Sequence, residues 1–460
     1  MTDTERAASP DELLSLRGGV HRAEDSRGTH HLVAWPRSRR LGRLRPGHLA
    51  VIERLADGPA RRADLIDRAR SYDGTDAPEP VTRLLNLLLA DGWLRRTACE
   101  GERPLWTVCP TGRPDTPQPA ARPDRPVLSR FAVLRHEEGD LLLESPRSSC
   151  TVRVHDGGRS ALFAVLSGSR APGPLADELW RQGFLVGDQD PEETDLRLRQ
   201  WSPHELWFHT RSRLGGRPDS AAGFGGTWWS HGKFDEPPEQ HPPFPGPRIS
   251  LPRPALDTLR NTDRTLTAVL EDRRTLRTHD DAAPLSVDQL GEFLYRCAGV
   301  RKREGAGPAF RPYPAGGARY ELEIYPVVRH MKGLAAGLYH YDPFAHQLES
   351  LSGMTPEVQR MLATGARSGG MQEPPQVLLV MSARFGRLMA KYEAMAYALA
   401  LKHVGVLTQV MYSVATAMGL APCALGAGDS EAFTAATGLD MFAESSVGEF
   451  LLGSREAAQR

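Results

Sequence analysis

EDRRTLRTHDD (residues 271–281), PYPAGGARYELEIYPV (residues 312–327), RLMAKYEAMAY (residues 387–397) and GLAPCALGAGD (residues 419–429) follow one another in the C-terminal half of the chain. Arg273, Arg274 and Arg277 surround Thr275, just after an apolar-periodic stretch at 266–270. A monoester phosphate takes bidentate guanidinium donors and a hydroxyl, and Arg-Arg-Thr-x-Arg supplies both from one extended turn. A solvated basic helix end fits the same residues, since Glu271 and Asp272 sit alongside. Pro314, Ala315 and Gly316 lead through Gly317 into an alternating stretch at 320–328, which predicts a strand. Glycines ahead of a strand let the backbone approach a ligand closely; an ordinary turn has the same composition.

Residues 389–418 read as one helix or two joined helices, with apolar residues at 395, 399, 406, 410 and 414 and Gly419 as the stop. Lys391 and Tyr392 stand in its first turn. The chain has few lysines among many arginines, so Lys391 is a poor candidate for surface filler. Arginine does not give up its proton usefully, whereas a desolvated lysine does, and a base near neutrality needs burial or a cationic neighbour. A solvated lysine at a helix start is the competing reading. Leu425 and Gly426 close the fourth segment, where backbone amides can stabilise negative charge on a bound ring; a plain helix-to-strand turn would carry the same Gly and Pro. Cys423 has no partner at metal-ligand spacing, and the site as a whole calls for no metal. Together these segments suit a phosphate-bearing aromatic cofactor beside a general base.

These four segments resemble the SagB-type (thiazole/oxazole-forming) dehydrogenases of the nitroreductase superfamily. The resemblance implies an α+β fold in which the arginine run holds FMN, Thr275 replacing the usual Ser. It implies that the segment at Pro314–Gly316 lines the flavin, with Ala315 where Ser is expected, and that the backbone at Leu425 and Gly426 faces the ring. Lys391 and Tyr392 take the place of the family's catalytic Lys-Tyr pair, and Arg455 that of a terminal cationic phosphate contact. The activity implied is oxidation of azolines to azoles in a precursor peptide, alongside a cyclodehydratase complex. The family also implies a homodimer with flavins at its interface.

At 460 residues the chain holds two or three domains at about 150 residues each. Residues 1–30 read as a flexible N-terminus. Residues 31–110 read as a winged-helix-like module: three helices, then a hairpin. A linker at 111–126 leads to a second such module at 127–213, and the two close alike, with Asp91-Gly92-Trp93-Leu94 beside Gln182-Gly183-Phe184-Leu185. A Gly/Pro-rich connector at 214–255, with Trp228 and Trp229 suited to docking, precedes the catalytic domain at 256–460. Lys+Arg and Asp+Glu both number 57, and residues 81–90 offer only Arg83 among leucines, so nucleic-acid binding is not expected. Such modules instead suit peptide capture at a sheet edge. His204 and His209 lack a third metal ligand at convincing spacing. Five scattered cysteines, a polar acidic start and the lack of an apolar run of about 20 residues point to a cytoplasmic protein without a membrane span.

Overall fold

A computed structural model describes residues 10–34, 37–111, 126–168, 173–187, 190–213, 227–230, 232–303 and 309–456. Most of the expected 111–126 linker lies outside the described residues. The chain forms two units, residues 1–224 and 225–460.

The first unit opens with strands β1 (Asp11–Leu16), β2 (His21–Glu24), β3 (His30–Ala34) and β4 (Arg37–Gly42). Residues 1–9 of the expected flexible N-terminus lie outside the described residues; for the rest the expectation is corrected, since β1 pairs along its whole length with β6, and Leu14 and Leu16 enter the core. Next come α1 (Pro46–Asp57), β5 (Ala60–Arg61), α2 (Arg62–Asp73), α3 (Pro78–Ala90), β6 (Leu94–Glu100) and β7 (Arg103–Pro110). Leu84, Leu85 and Leu88 of α3 are buried, and Arg83 is an exposed partner of Glu79. β8 (Val127–Leu128), β9 (Val133–Glu137), β10 (Asp140–Glu144), β11 (Cys150–Val154), α4 (Arg159–Leu166), α5 (Pro174–Arg181) and β12 (Leu185–Val186) follow. Short helices α6 (Pro191–Thr194), α7 (Leu196–Arg199) and α8 (Pro203–Arg211) complete the described part.

The two expected modules are not separate. β7 pairs with β11, which fuses them into one seven-stranded sheet of order β5-β1-β6-β7-β11-β10-β9. Their closing turns share a geometry: Gly92 and Gly183 have φ of 70° and 74°, and Trp93 and Phe184 each donate a backbone N–H five residues back, at 2.8 and 2.9 Å. Only glycine enters that left-handed turn without strain. In α8, His209 stacks on Trp201 at 5.7 Å between ring centroids.

The second unit begins inside the expected connector, of which residues 214–226 and 231 lie outside the described residues. Pro237, Pro238 and Glu239 offer carbonyls to Arg387 and Arg384. His241 Nε2 lies 3.1 Å from the buried Glu444 carboxylate. The Phe244 N–H donates to Glu349, and β13 (Arg248–Ser250) pairs with β18. Trp229 is 61% exposed, with Phe234 edge-on to it. The Gly/Pro composition reflects an irregular path over a polar-lined surface; the stretch at 236–250 docks through backbone carbonyls and amides rather than hanging free.

Then come α9 (Leu256–Thr262), α10 (Leu266–Asp272), α11 (Val287–Ala298), the short pair β14 (Lys302–Arg303) and β15 (Ala309–Phe310), β16 (Leu322–Val328), β17 (Gly337–Asp342), β18 (Gln347–Ser352), α12 (Pro356–Gly369), β19 (Val377–Arg384), α13 (Phe385–Met389), α14 (Ala396–Ala417), β20 (Leu420–Leu425), α15 (Ser430–Thr437) and β21 (Glu444–Ser454). The sheet order is β13-β18-β17-β16-β19-β21-β20, antiparallel throughout. Side chains alternate across it: Leu379 and Met381 join the core under α11 and α14, whereas Leu378 and Val380 join the one under α12 and α15. α14 is long and apolar enough to pass for a membrane span by length and composition alone. Its Ala400, Leu407 and Met411 face is buried in the unit's core.

Candidate active site

Two groups of residues lie along α14, about 13 Å apart if counted from His403 to Tyr412 at ~1.5 Å per residue. At the Tyr412 end, α10 stops at Asp272 and the chain turns extended at Arg273. The Leu276 N–H then donates to the Pro422 carbonyl of β20 at 2.9 Å. Tyr412 Oη accepts from the Ala424 N–H at 2.9 Å and lies 2.9 Å from Thr275 Oγ1. The Arg273 guanidinium sits 5.3 Å from the Tyr412 ring centre. Burial pushes the Cys423 thiol up, against the pull of the nearby Arg277 charge, so Cys423 is an inert core thiol. The arginine run and the segment before Leu425 are thus brought together.

The three arginines divide. Arg274 donates to the Glu271 and Arg273 carbonyls at 2.6 and 2.8 Å. It serves the C-terminus of α10, as the helix-end reading has it. Among the described residues no carboxylate pairs with Arg273, Arg274 or Arg277; Asp272, next in sequence, is held by Arg264. A cluster of unneutralised guanidiniums beside a hydroxyl is chemically suited to a phosphate.

Leu425 and Gly426 behave differently from each other. The Leu425 side chain packs with the α12–α15 core, on the sheet face away from Tyr412. A Cβ on Gly426 would meet open space. Arg455 follows Ser454, which pairs with Leu420 at the far end of β20. Four strand residues, about 13 Å, separate that point from Ala424. Arg455 Nε is buried with no hydrogen-bond partner among the described residues.

At the other end of α14 lies the glycine loop. Gly317 has φ 58° and ψ 26°, and Ala318 and Tyr320 have φ of 54° and 44°. Left-handed non-glycine residues cost about 1–3 kcal/mol each and persist only where the surroundings hold them. Arg387 holds one end: its Nε and a terminal nitrogen donate to the Arg319 carbonyl at 3.1 and 2.7 Å. His403 holds the other, accepting the Gly316 N–H at 2.8 Å. A Cβ added to Gly317 would overlap the Lys391 ammonium and lie 2.9 Å from Tyr392 Oη; those side-chain ends could shift, and it is the positive φ that favours glycine there. Pro314 is exposed, and Ala315 packs partly against the core.

Lys391 and Tyr392 are not in a helix's first turn, as expected, but in the bend between α13 and α14. The Lys391 and Tyr392 N–H groups both donate to the Leu388 carbonyl at 2.9 and 2.8 Å, and Ala394, at φ 58°, breaks the helix before Ala396. The Lys391 side chain is exposed in the isolated chain, with its Nζ 5.6 Å from the Tyr392 ring centre. Glycine loop and Lys-Tyr pair, 74 residues apart in sequence as numbered from Gly317 to Lys391, are in direct contact.

His403, Glu321, Arg387 and Tyr412 were not singled out by sequence reasoning. A signal existed for His403: it falls on the apolar stripe of α14, between Leu399 and Val406, where a buried polar ring requires a partner.

Beside Leu425, a small cavity is lined by Met361, Gly365, Gly428, Asp429 and Glu449. Burial pushes the Glu449 carboxyl up to about 7, Asp429 adding repulsion and a Ser446 hydrogen bond opposing. Its folded pKa exceeds its ordinary 4.5, so its contribution to stability is full below that value and lost as pH rises through about 7. Glu449→Gln is therefore expected to raise the melting temperature at alkaline pH, by a gain of at most about 3 kcal/mol, and to change little in acid. Thermal unfolding followed across that range checks it.

The comparisons with known proteins fit this arrangement. Residues 270–453 match the Nitroreductase family, and residues 126–183 match the family described as Cyanobactin oxidase ThcOx. Protein MJ1384 of Methanocaldococcus jannaschii, named as a nitroreductase, is 30% identical over 159 residues, which is 35% of this chain and 77% of that protein. The microcin B17-processing protein McbC of Escherichia coli is 33% identical over 122 residues, 25% of this chain and 43% of McbC. A solved nitroreductase from Ralstonia eutropha is 22% identical, with a TM-score of 0.38, covering 49% of this chain and 100% of that one. That likeness is partial, and the assignment rests on the sequence matches. The second unit carries a nitroreductase-fold oxidoreductase domain; the chain belongs to the nitroreductase family.

Proposed function

We propose that the chain is an FMN-dependent, SagB-type azoline dehydrogenase, which oxidises peptide thiazolines or oxazolines to azoles. The observation that carries this reading is the contact of the glycine loop at Gly317 with Lys391 and Tyr392. The ThcOx match at 126–183 and the likeness to McbC, a microcin-processing protein, support a peptide substrate.

The residues present fit a flavin mononucleotide. Arg273, Arg277 and Thr275 would hold the phosphate, with Arg274 fixing the turn; Arg455, whose Nε has no partner among the described residues, would be a further cationic contact. The backbone at Pro314–Gly316 and at Leu425–Gly426 would border the ring. Bound FMN would supply the acceptor for a hydride, with molecular oxygen as terminal oxidant. Lys391 would remove the ring proton as general base, and Tyr392 would orient the heterocycle. Because Lys391 is exposed in the single chain, the cover that desolvates it would come from substrate or from a second copy. Exposed Leu266, Leu270, Tyr397 and Leu401 suit such a homodimer. The first unit, as a pair of fused winged-helix-like modules, would hold the leader of the precursor peptide. Strand β9 lies at an edge of its sheet, and a cyclodehydratase would supply the azoline.

The test is direct. Purified chain with FMN should remove two hydrogens per ring from a thiazoline peptide in air, read by mass spectrometry. A flavin-loaded chain that leaves the peptide unchanged rules the reading out. One observation favours a second reading: MJ1384 is named as a nitroreductase, and an NAD(P)H-driven reductase of the same fold would be bleached by NADPH without oxygen.

A further inference from the structure

The glycine loop holds three left-handed residues within four positions, and its N-terminal anchor is one hydrogen bond, from the Gly316 N–H to His403 Nε2 at 2.8 Å. A ring nitrogen that accepts a hydrogen bond carries its lone pair there, so the ring's proton is on the other nitrogen. That nitrogen, Nδ1, lies 2.6 Å from Glu321 Oε1. An imidazolium would set an N–H against the Gly316 N–H. The geometry therefore requires a neutral ring donating to a carboxylate.

The Glu321 side chain is fully buried, and its Oε2 has no partner among the described residues. A half-satisfied buried carboxylate is costly, and a well-packed apolar pair in place of both Glu321 and His403 would be as stable or more so. The arrangement is explained by orientation, not by stability. The same loop bears on Lys391 and Tyr392 through Gly317, so it cannot recede from them without breaking the bond to His403.

We propose that Glu321 and His403 form a positioning dyad, in which a carboxylate-held neutral imidazole accepts the Gly316 N–H and so fixes the glycine loop against Lys391 and Tyr392. The effect on turnover rests on the function proposed above; the effect on the loop does not.

The test uses the full chain. Nitrogen NMR of 15N-histidine-labelled protein, with His403 assigned by its absence in a variant, is expected to show a ring that carries its proton on Nδ1 and a bare, hydrogen-bonded Nε2. His403→Leu is expected to weaken FMN binding, read by flavin fluorescence, and azoline turnover about tenfold each, the worth of one hydrogen bond. His403→Gln, whose amide oxygen still accepts the Gly316 N–H, is expected to recover most of both. A ring protonated at Nε2, wild-type FMN affinity in His403→Leu, or equal damage in both variants would overturn the dyad. If the leucine variant does not fold, the tautomer decides. FMN binding that follows these expectations without azoline oxidation would sink the proposed function and leave the dyad standing.

Discussion

Lys391→Ala is expected to keep its FMN and lose azoline oxidation by about 10²–10⁴-fold, the range for removing a positioned general base. The amine lies against Gly317, on the side of the loop that the Tyr392 hydroxyl also approaches. Lys391→Arg restores the charge without restoring a usable base, so it should stay as inactive as the alanine variant. That pair of variants separates proton removal from mere electrostatic attraction. Rates are read from azole formation by mass spectrometry, with flavin content taken from absorbance. Wild-type turnover in either variant, with full flavin, would assign the base elsewhere.

Arg273→Ala combined with Arg277→Ala is expected to yield a colourless, folded protein. Hydrogen bonds to charged groups contribute about 1.5–3 kcal/mol each, so losing both should weaken FMN by roughly 100-fold or more. Arg274→Ala should have a much smaller effect, because its guanidinium is engaged by the Glu271 and Arg273 carbonyls. Fluorescence titration with FMN compares the two. A double variant that retains flavin at the wild-type level would place the phosphate away from this turn.

Much of the candidate site was legible as local pattern. The strand after the glycines, the helix ending at Gly419, and the arginine turn after an apolar helix each follow from periodicity or from residues with few conformational options. Other features were not local. A Gly/Pro-rich composition at 214–255 suggested a connector suited to docking, but not that residues 236–250 would satisfy Arg384, Arg387, Glu349 and Glu444. The polar stretch before residue 30 concealed β1 because only Leu13, Leu14 and Leu16 face or flank the core. Its strand state depends on pairing with β6, whose Leu94–Glu100 lies far along the chain.

The strand after the glycine loop, the helix that ends at Gly419 and the Lys-Tyr pair were legible in the sequence alone, since each depends on backbone preference or spacing within a few residues. Only tertiary structure decided that Lys391 is exposed in a bend, that Leu425 turns to the opposite sheet face, that two modules share one sheet, and that Glu321 meets His403. These are matters of which buried polar group finds which partner, and which face a strand presents. Both are fixed by contacts between segments distant in the chain, where no local preference reaches.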